Sequence, residues 1–319
     1  MSPHPVPRTA VLALGGNALA LAGERATIAN QFRHARESVA PIVELAREGW
    51  RIAIVHGNGP QVGDELVRNE FARDLVEPLP LGVLVAGTAG WIGYMLQQSL
   101  QNGLRQAGVA RDVVTVVTQT VVDPADPALA RPTKPVGHPL SPEQAAVLAA
   151  RGAALGPDGK GRLRRLASSP APLGIVEAAQ VRRLVEAGTI VVAAGGGGPP
   201  VYDDPVRGWE GVDAVVDKDR TAAILARELG ADVLVVLTDV DAVYRDWGTP
   251  AQAPIPRLTA AAAEALAASG ALDEGGMKPK VQAAAAFVRG GGARAVIARL
   301  SDGPAALRGI TGTTITEDA

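Results

Sequence analysis

The feature that most constrains this chain is a repeated punctuation. Short, unbroken runs of valine, leucine, isoleucine and alanine are each closed by a cluster of glycines. Leu14 is followed by Gly15, Gly16 and Asn17; Val55 by His56, Gly57, Asn58, Gly59 and Pro60; Ala194 by Gly195 to Gly198. Continuous apolar runs belong to strands covered on both faces, whereas half-exposed strands alternate. The runs predict strands at Val11–Leu14, Arg51–Val55, Val113–Thr118, Thr189–Ala193, Val233–Leu237 and Ala295–Ala298. Amphipathic stretches between them predict helices at Asn30–Glu48, Ala89–Ala107, Glu177–Ala187, Asp219–Leu229, Ala260–Ser269 and Pro279–Arg289. Strands alternating with helices give an α/β fold, a three-layer αβα sandwich with a mostly parallel central sheet.

The stretch Asp123 to Pro172 breaks the rhythm. It is rich in proline, glycine and arginine, with one clear helix near Ser141–Arg151. A loop that long inside a compact domain is uncommon and often functional, so residues 123–172 are expected to form a small protruding inserted subdomain, or lid. The remainder of residues 1–319 reads as one domain. Met1 to Arg8 carries three prolines and no apolar core, unlike a signal peptide. The charge-free stretch Pro78–Leu104 has the length of a membrane span. Its glycines, Pro80 and the glutamines Gln97 and Gln98 favour a buried loop plus core helix. The expectation is a soluble, cytoplasmic protein with no membrane partner. The absence of cysteine excludes disulfides, thiolate metal sites and a cysteine nucleophile. A net charge of −2 supplies no basic field for nucleic acid.

Glycine at the carboxyl ends of parallel strands lets the backbone approach a ligand and aim N–H groups at it. Helix N-termini add partial positive charge, so such loops suit phosphate oxygens. The loops spell neither a dinucleotide fingerprint nor a P-loop: Gly57, Gly59 and Gly63 are one residue too widely spaced, and no Gly-Lys-Ser/Thr tail occurs. Lysine is rare. Lys134, Lys160, Lys218, Lys278 and Lys280 are the whole set. Lys218, between Asp217 and Asp219, and Lys280, after Pro279, stand at predicted helix starts, where a cation is costly unless an anion is near. Phosphoryl transfer needs such parts, because positioning and charge neutralisation do most of its work. Pro279 suits a first helical turn, and Lys278 before it is expected to be extended and to face solvent.

Together these segments resemble carbamate kinase, of the amino-acid-kinase superfamily, over nearly the whole chain. They are LALGGNAL from Leu12, VHGNGPQVG from Val55, IGYMLQQSL from Ile92, TQTVVDPADPA from Thr118 and PTKPVG from Pro132. AAGGGGPPV from Ala193, GVDAVVDKD from Gly211, LTDVDAVY from Leu237 and MKPKVQAAAAFV from Met277 complete the set. Thr88-Ala89-Gly90 and His138-Pro139 depart from the family's pattern. The resemblance implies reversible phosphoryl transfer between carbamoyl phosphate and ADP, giving ATP and carbamate. It implies that Gly15, Gly16 and Asn17 contact the transferred group, while Gly57, Asn58 and Gly59 face the carbamate side. Lys134 would reach in from the lid, Lys218 would bridge phosphates with Asp219 organising it, and Lys280 would neutralise the nucleotide. Gly195, Gly196, Thr238, Asp239, Val240, Tyr244, Met277 and Pro279 would border ADP or ATP. The N-terminal lobe would take the small substrate and the C-terminal lobe, about residues 190–319, the nucleotide. Mg²⁺ would arrive with the nucleotide, without a certain protein ligand, and the family forms homodimers. A superfamily kinase for another small anionic acceptor is the second reading, and a catalytically silent binding protein the third.

Overall fold

The computed structural model describes residues 8–15, 24, 26–273 and 276–318. Gly16 and Asn17 lie outside the described residues.

Eight strands form the central sheet: β1 (Thr9–Leu14), β2 (Arg51–His56), β3 (Val113–Thr115), β4 (Ile190–Val192), β5 (Val233–Thr238), β6 (Arg257–Thr259), β7 (Arg294–Arg299) and β8 (Thr313–Thr316). Their order is β6-β8-β7-β5-β1-β2-β4-β3. All neighbours are parallel except β7 and β8. Side chains alternate across a strand, and here the two faces fill two different cores. Ala10, Leu12 and Leu14 of β1 join Ile42, Leu45, Met95, Leu96 and Leu100 on one side. Val11 and Ala13 join Ala222, Ala226, Ala263, Ala283, Ala284 and Ala285 on the other. This is the αβα sandwich, with one helix layer docked mainly through large aliphatics and the other through many alanines among larger residues such as Val281 and Phe287.

Two helices differ from expectation. The stretch read as one helix from Asn30 to Glu48 is two, Ile28–Ser38 and Ala40–Arg47. Pro41 sits in the first turn of the second; it lacks an N–H and its ring would strike the preceding turn, so one continuous helix cannot pass. The helix expected from Ala89 begins earlier and runs Leu81–Gln106. Its glycines are not a loop: a Cβ on Gly93 would lie 2.2 Å from Thr115 Cγ2, so that one lets β3 pack tightly on the helix.

Residues 123–172 carry a three-stranded antiparallel sheet, Lys134–Val136, Leu163–Ala167 and Leu155–Pro157. Helix Pro142–Ala150 starts at a capping box on Ser141. This segment rests on helix Gly59–Ala72 through bare backbone. A Cβ on Gly63 would lie 1.9 Å from Gly137 N, and Gly137 N–H donates to Gly59 O at 2.8 Å. Below the contact Val62, Leu66, Leu84, Val85, Val136 and Ala167 form a third, smaller core. A four-stranded sheet, Gly208–Gly211, Pro200–Asp204, Thr120–Val122 and Pro172–Ile175, flanks it. Among the described residues, no helix is long and apolar enough to cross a membrane.

Candidate active site

Because β1, β2, β4 and β5 run parallel, their carboxyl ends meet at one edge. Leu14 pairs with both His56 and Leu237, Gly15 N–H donates to Leu237 O at 3.0 Å, and Gly57 N–H to Leu14 O at 3.1 Å. A cleft of about 850 Å³ opens there. Three helices begin at it, at Gly59, Lys218 and Met277. Each brings a positive dipole end.

The glycine loop after β4 is held from several sides. Gly196 has φ of 68°, and a Cβ there would meet the Asn58 amide at 2.2 Å, so both conformation and space require glycine. The Asn58 Nδ2 donates to Thr88 Oγ1 at 2.9 Å, and Thr88 in turn donates to Leu84 O. Thr88 therefore serves to orient Asn58; the departure from the family's pattern in this segment is its neighbour Ala89. The other departure, His138, meets the Asp64 carboxylate at 2.9 Å, outside the phosphate-facing part of the cleft. His56 lies beneath the loops, with Nδ1–H donating to Gly57 O at 3.0 Å. Burial drives its pKa down to about 4, against the opposing pull of that carbonyl. It is a neutral packing group at neutral pH.

The charged centre is built on two helix starts. Asp217 caps helix Lys218–Glu228, accepting from Asp219 N–H at 3.0 Å and Arg220 N–H at 3.2 Å. Its other oxygen accepts from Lys134 Nζ at 2.9 Å, across 83 residues of sequence. Asp219 stands between two ammonium groups, with Lys218 Nζ at 2.6 Å and Lys280 Nζ at 3.2 Å. Burial pushes the Lys218 ammonium below its ordinary pKa despite Asp219. Burial also opposes the charge on Lys280, but Asp219, with Asp217 and Asp239 behind it, lifts Lys280 above its ordinary value. Burial raises Asp217, yet Lys134 and Lys218 hold it well below the usual carboxylate range.

The cleft gathers most of the residues singled out from the sequence. Gly15, Gly57, Asn58, Gly59, Lys134, Gly196, Lys218, Asp219, Thr238, Asp239, Val240, Tyr244, Met277, Pro279 and Lys280 all line it. Gly195 does not; it is the floor behind the loop, where a Cβ would strike His56 Nε2 at 2.5 Å. Lys278 is not extended: the helix starts at Met277, two residues ahead of Pro279. The first four N–H groups of a helix need no intrahelical partner, so a proline at the third position does not set its start. Lys278 is half-buried and turned to a separate groove. Asp217 is the residue the sequence reading passed over. Its signal was there, an acid one residue before a helix start, but its lysine partner comes from the distant inserted segment. Trp247 also lines the cleft and packs edge-on against Tyr244, centroids 5.1 Å apart.

A parallel sheet with glycine loops at its carboxyl edge and lysines at helix N-termini defines a phosphotransferase, and the chain belongs to the amino acid kinase family, whose model matches residues 8–299. Its relatives narrow the branch to the carbamate kinases. The carbamate kinase of Pyrococcus horikoshii is 42% identical over 98% of this chain and 100% of its own length. That of Escherichia coli strain K12 is 44% identical over 97% of this chain and 99% of its own. The solved structure of carbamate kinase from Giardia lamblia bound to AMP-PNP superposes with a TM-score of 0.89 at 35% identity, covering 98% of this chain and 99% of that one.

Proposed function

We propose that this chain interconverts carbamoyl phosphate plus ADP with ATP plus carbamate. The observation that carries the reading is the buried Lys218–Asp219–Lys280 cluster facing Lys134–Asp217 across one cleft. Three ammonium groups converge where charge would develop on a phosphoryl group in flight, and fixed charges of that kind supply most of the catalysis. In the ATP-forming direction a β-phosphate oxygen of ADP attacks the phosphorus of carbamoyl phosphate. The phosphorus–oxygen bond to carbamate breaks, and carbamate leaves with the electron pair, later falling to ammonia and CO2. Lys134 holds the carbamoyl phosphate end, Lys218 spans donor and acceptor oxygens, and Lys280 neutralises the nucleotide. Asp219 fixes the two floor lysines in place. Gly15, Gly57 and Gly59, having no side chains, let the backbone come close to the small substrate. Met277, Val240, Tyr244 and Trp247 border the base and ribose. The segment 123–172 acts as the lid.

Mg²⁺ bound with the nucleotide would neutralise phosphate charge. No group of three metal-ligating side chains exists among the described residues, and Asp217 and Asp219 already face lysines. This donor set fits an ion carried on the nucleotide's own oxygens and water. The same reading takes the protein as a cytoplasmic homodimer serving arginine catabolism. The exposed apolar run Phe71, Leu75, Val76, Leu79 and Val83 supports a covered face. The test is direct: purified protein with ADP, Mg²⁺ and carbamoyl phosphate is expected to form ATP in a coupled assay. Mg-ADP at a hundredfold excess over its Kd is expected to add about 2.7 kcal/mol of stability. No turnover and an unmoved melt would overturn the reading.

A further inference from the structure

The inserted segment carries a second lysine that the reaction as described leaves idle. Lys160 stands in the turn joining strands Leu155–Pro157 and Leu163–Ala167. Lys134 pairs with Ala167 and Pro157 with Leu163, so the two lysines mark opposite ends of the same small sheet. At about 3.3 Å per residue those ends are roughly 13 Å apart.

The turn is stiff. The Asp158 carboxylate accepts from the backbone N–H of Lys160 at 2.9 Å and of Arg162 at 3.0 Å. It also takes both ends of the Arg162 guanidinium, at 3.0 and 2.8 Å. This turn is aimed at the cleft, which Lys160 lines together with Lys134, Lys218 and Lys280. It faces the segment leading into helix Met277–Arg289: a Cβ on Gly159 would lie 3.2 Å from Asp273 Oδ1. Lys134, Lys218 and Lys280 each have a carboxylate within 3.2 Å. Lys160 makes no ion pair among the described residues, Asp273 included. A cation on a rigid support, over a phosphate-binding cleft and without a counter-ion among the described residues, is placed to meet charge brought by the ligand.

We infer that Lys160 recognises the polyphosphate of bound ADP or ATP from the solvent side when the inserted segment rests on the cleft. One small sheet would then read both substrates, the carbamoyl phosphate end through Lys134 and the nucleotide through Lys160. The inference rests on the phosphotransferase reading above. Its test is calorimetric titration of wild type, Lys160→Ala and Lys160→Arg with ADP and with adenosine. Lys160→Ala is expected to weaken ADP about five- to tenfold, with the loss shrinking at high salt, while adenosine stays within about twofold. Lys160→Arg is expected to restore most of the ADP affinity, and the carbamoyl phosphate KM of Lys160→Ala to stay within about twofold of wild type. Lys160 is exposed, so the alanine variant keeps its fold, which circular dichroism checks. Wild type that binds ADP no tighter than Lys160→Ala overturns the inference while leaving the kinase reading intact, and so does an equal loss for adenosine. Wild type that binds no ADP overturns the kinase reading itself.

Discussion

The cleft has a floor and a roof, and they are made differently. On the floor, the side chains of Lys218, Asp219 and Lys280 keep 12%, 3% and 13% of their exposure. They stand on two long helices packed into the main core. On the roof, Lys134 keeps 30% and reaches Asp217, at 20%, from a short three-residue strand. The floor is charge fixed in advance, in surroundings where each ammonium acts strongly and losing a partner is costly. The roof meets the floor through the Lys134–Asp217 ion pair, and it rests on helix Gly59–Ala72 through the Gly63–Gly137 contact and the small core at Val136 and Ala167. In the proposed lid role it would open to admit substrate. The proposed mechanism divides the labour the same way, with the floor stabilising charge and the roof admitting the small substrate.

That contrast can be broken most severely at Asp219. Asp219→Asn leaves two ammonium groups facing each other without their shared carboxylate, and removing one partner of a buried pair costs about 3–5 kcal/mol. Urea denaturation measures the loss; a change under about 1 kcal/mol would mean that the floor is wetter than its burial implies.

The buried side should also be the pH-sensitive side. His56 has a folded pKa of about 4 against an ordinary 6.5. The unfolded chain therefore binds a proton first as pH falls. Stability from keeping His56 neutral is complete above pH 6.5 and drains away down to about pH 4, by about 3 kcal/mol. Asp217 is held low, so its contribution persists at neutral pH and is lost only below the ordinary carboxylate range. Denaturation midpoints of wild type and His56→Gln across the weakly acidic range test this, the variant being expected to lose most of the slope.

Catalysis sharpens the comparison. Lys280→Ala is expected to lower kcat about a hundredfold or more, the scale of one fixed electrostatic contact. Lys278→Ala is expected to stay within about threefold, since residues two apart on a helix do not share a face. Equal losses in the two purified variants would place the wrong lysine in the site. The mildest effect belongs to the roof. Lys134→Ala is expected to raise the carbamoyl phosphate KM about tenfold and leave ADP affinity within about twofold. Collapse of ADP binding with an unchanged KM would exchange the roles of floor and roof.

How much of this could be read from residues follows the same division. The inner strands were legible because each is an unbroken apolar run. The edge strand Arg257–Thr259 and its neighbour Thr313–Thr316 were not, being short and rich in polar residues. The extra turns of helix Leu81–Gln106 hid behind Gly82, Gly87 and Gly90, which read as breakers but sit where no Cβ is needed. Leu155-Gly156-Pro157 looks like nothing until it pairs with Leu163–Ala167. At the site, Lys218 and Lys280 announced themselves by their places at helix starts, and Asp219 through the family resemblance. Asp217 and Lys160 did not, because their importance comes from which distant segment faces them, and no local pattern encodes that. Gly195 matched the motif yet serves as a wall, showing that a glycine loop marks a place rather than assigning each of its members a ligand.

The alanine-lined side of the sheet has a consequence for the reacting centre. Lys218 and Lys280 ride on helices whose inner faces set single methyl groups, at Ala222, Ala226, Ala283, Ala284 and Ala285, among the larger Leu225, Val281, Phe287 and Val288. The 3.2 Å reach from Lys280 to Asp219 is thus a dimension gauged by those methyls, as the gap between two plates is gauged by shims. A thicker shim anywhere along that seam would widen the gap at the far end, where a misplacement of about 1 Å costs about a hundredfold in rate. The tolerance of this enzyme is therefore set in its core, at side chains that no substrate ever meets.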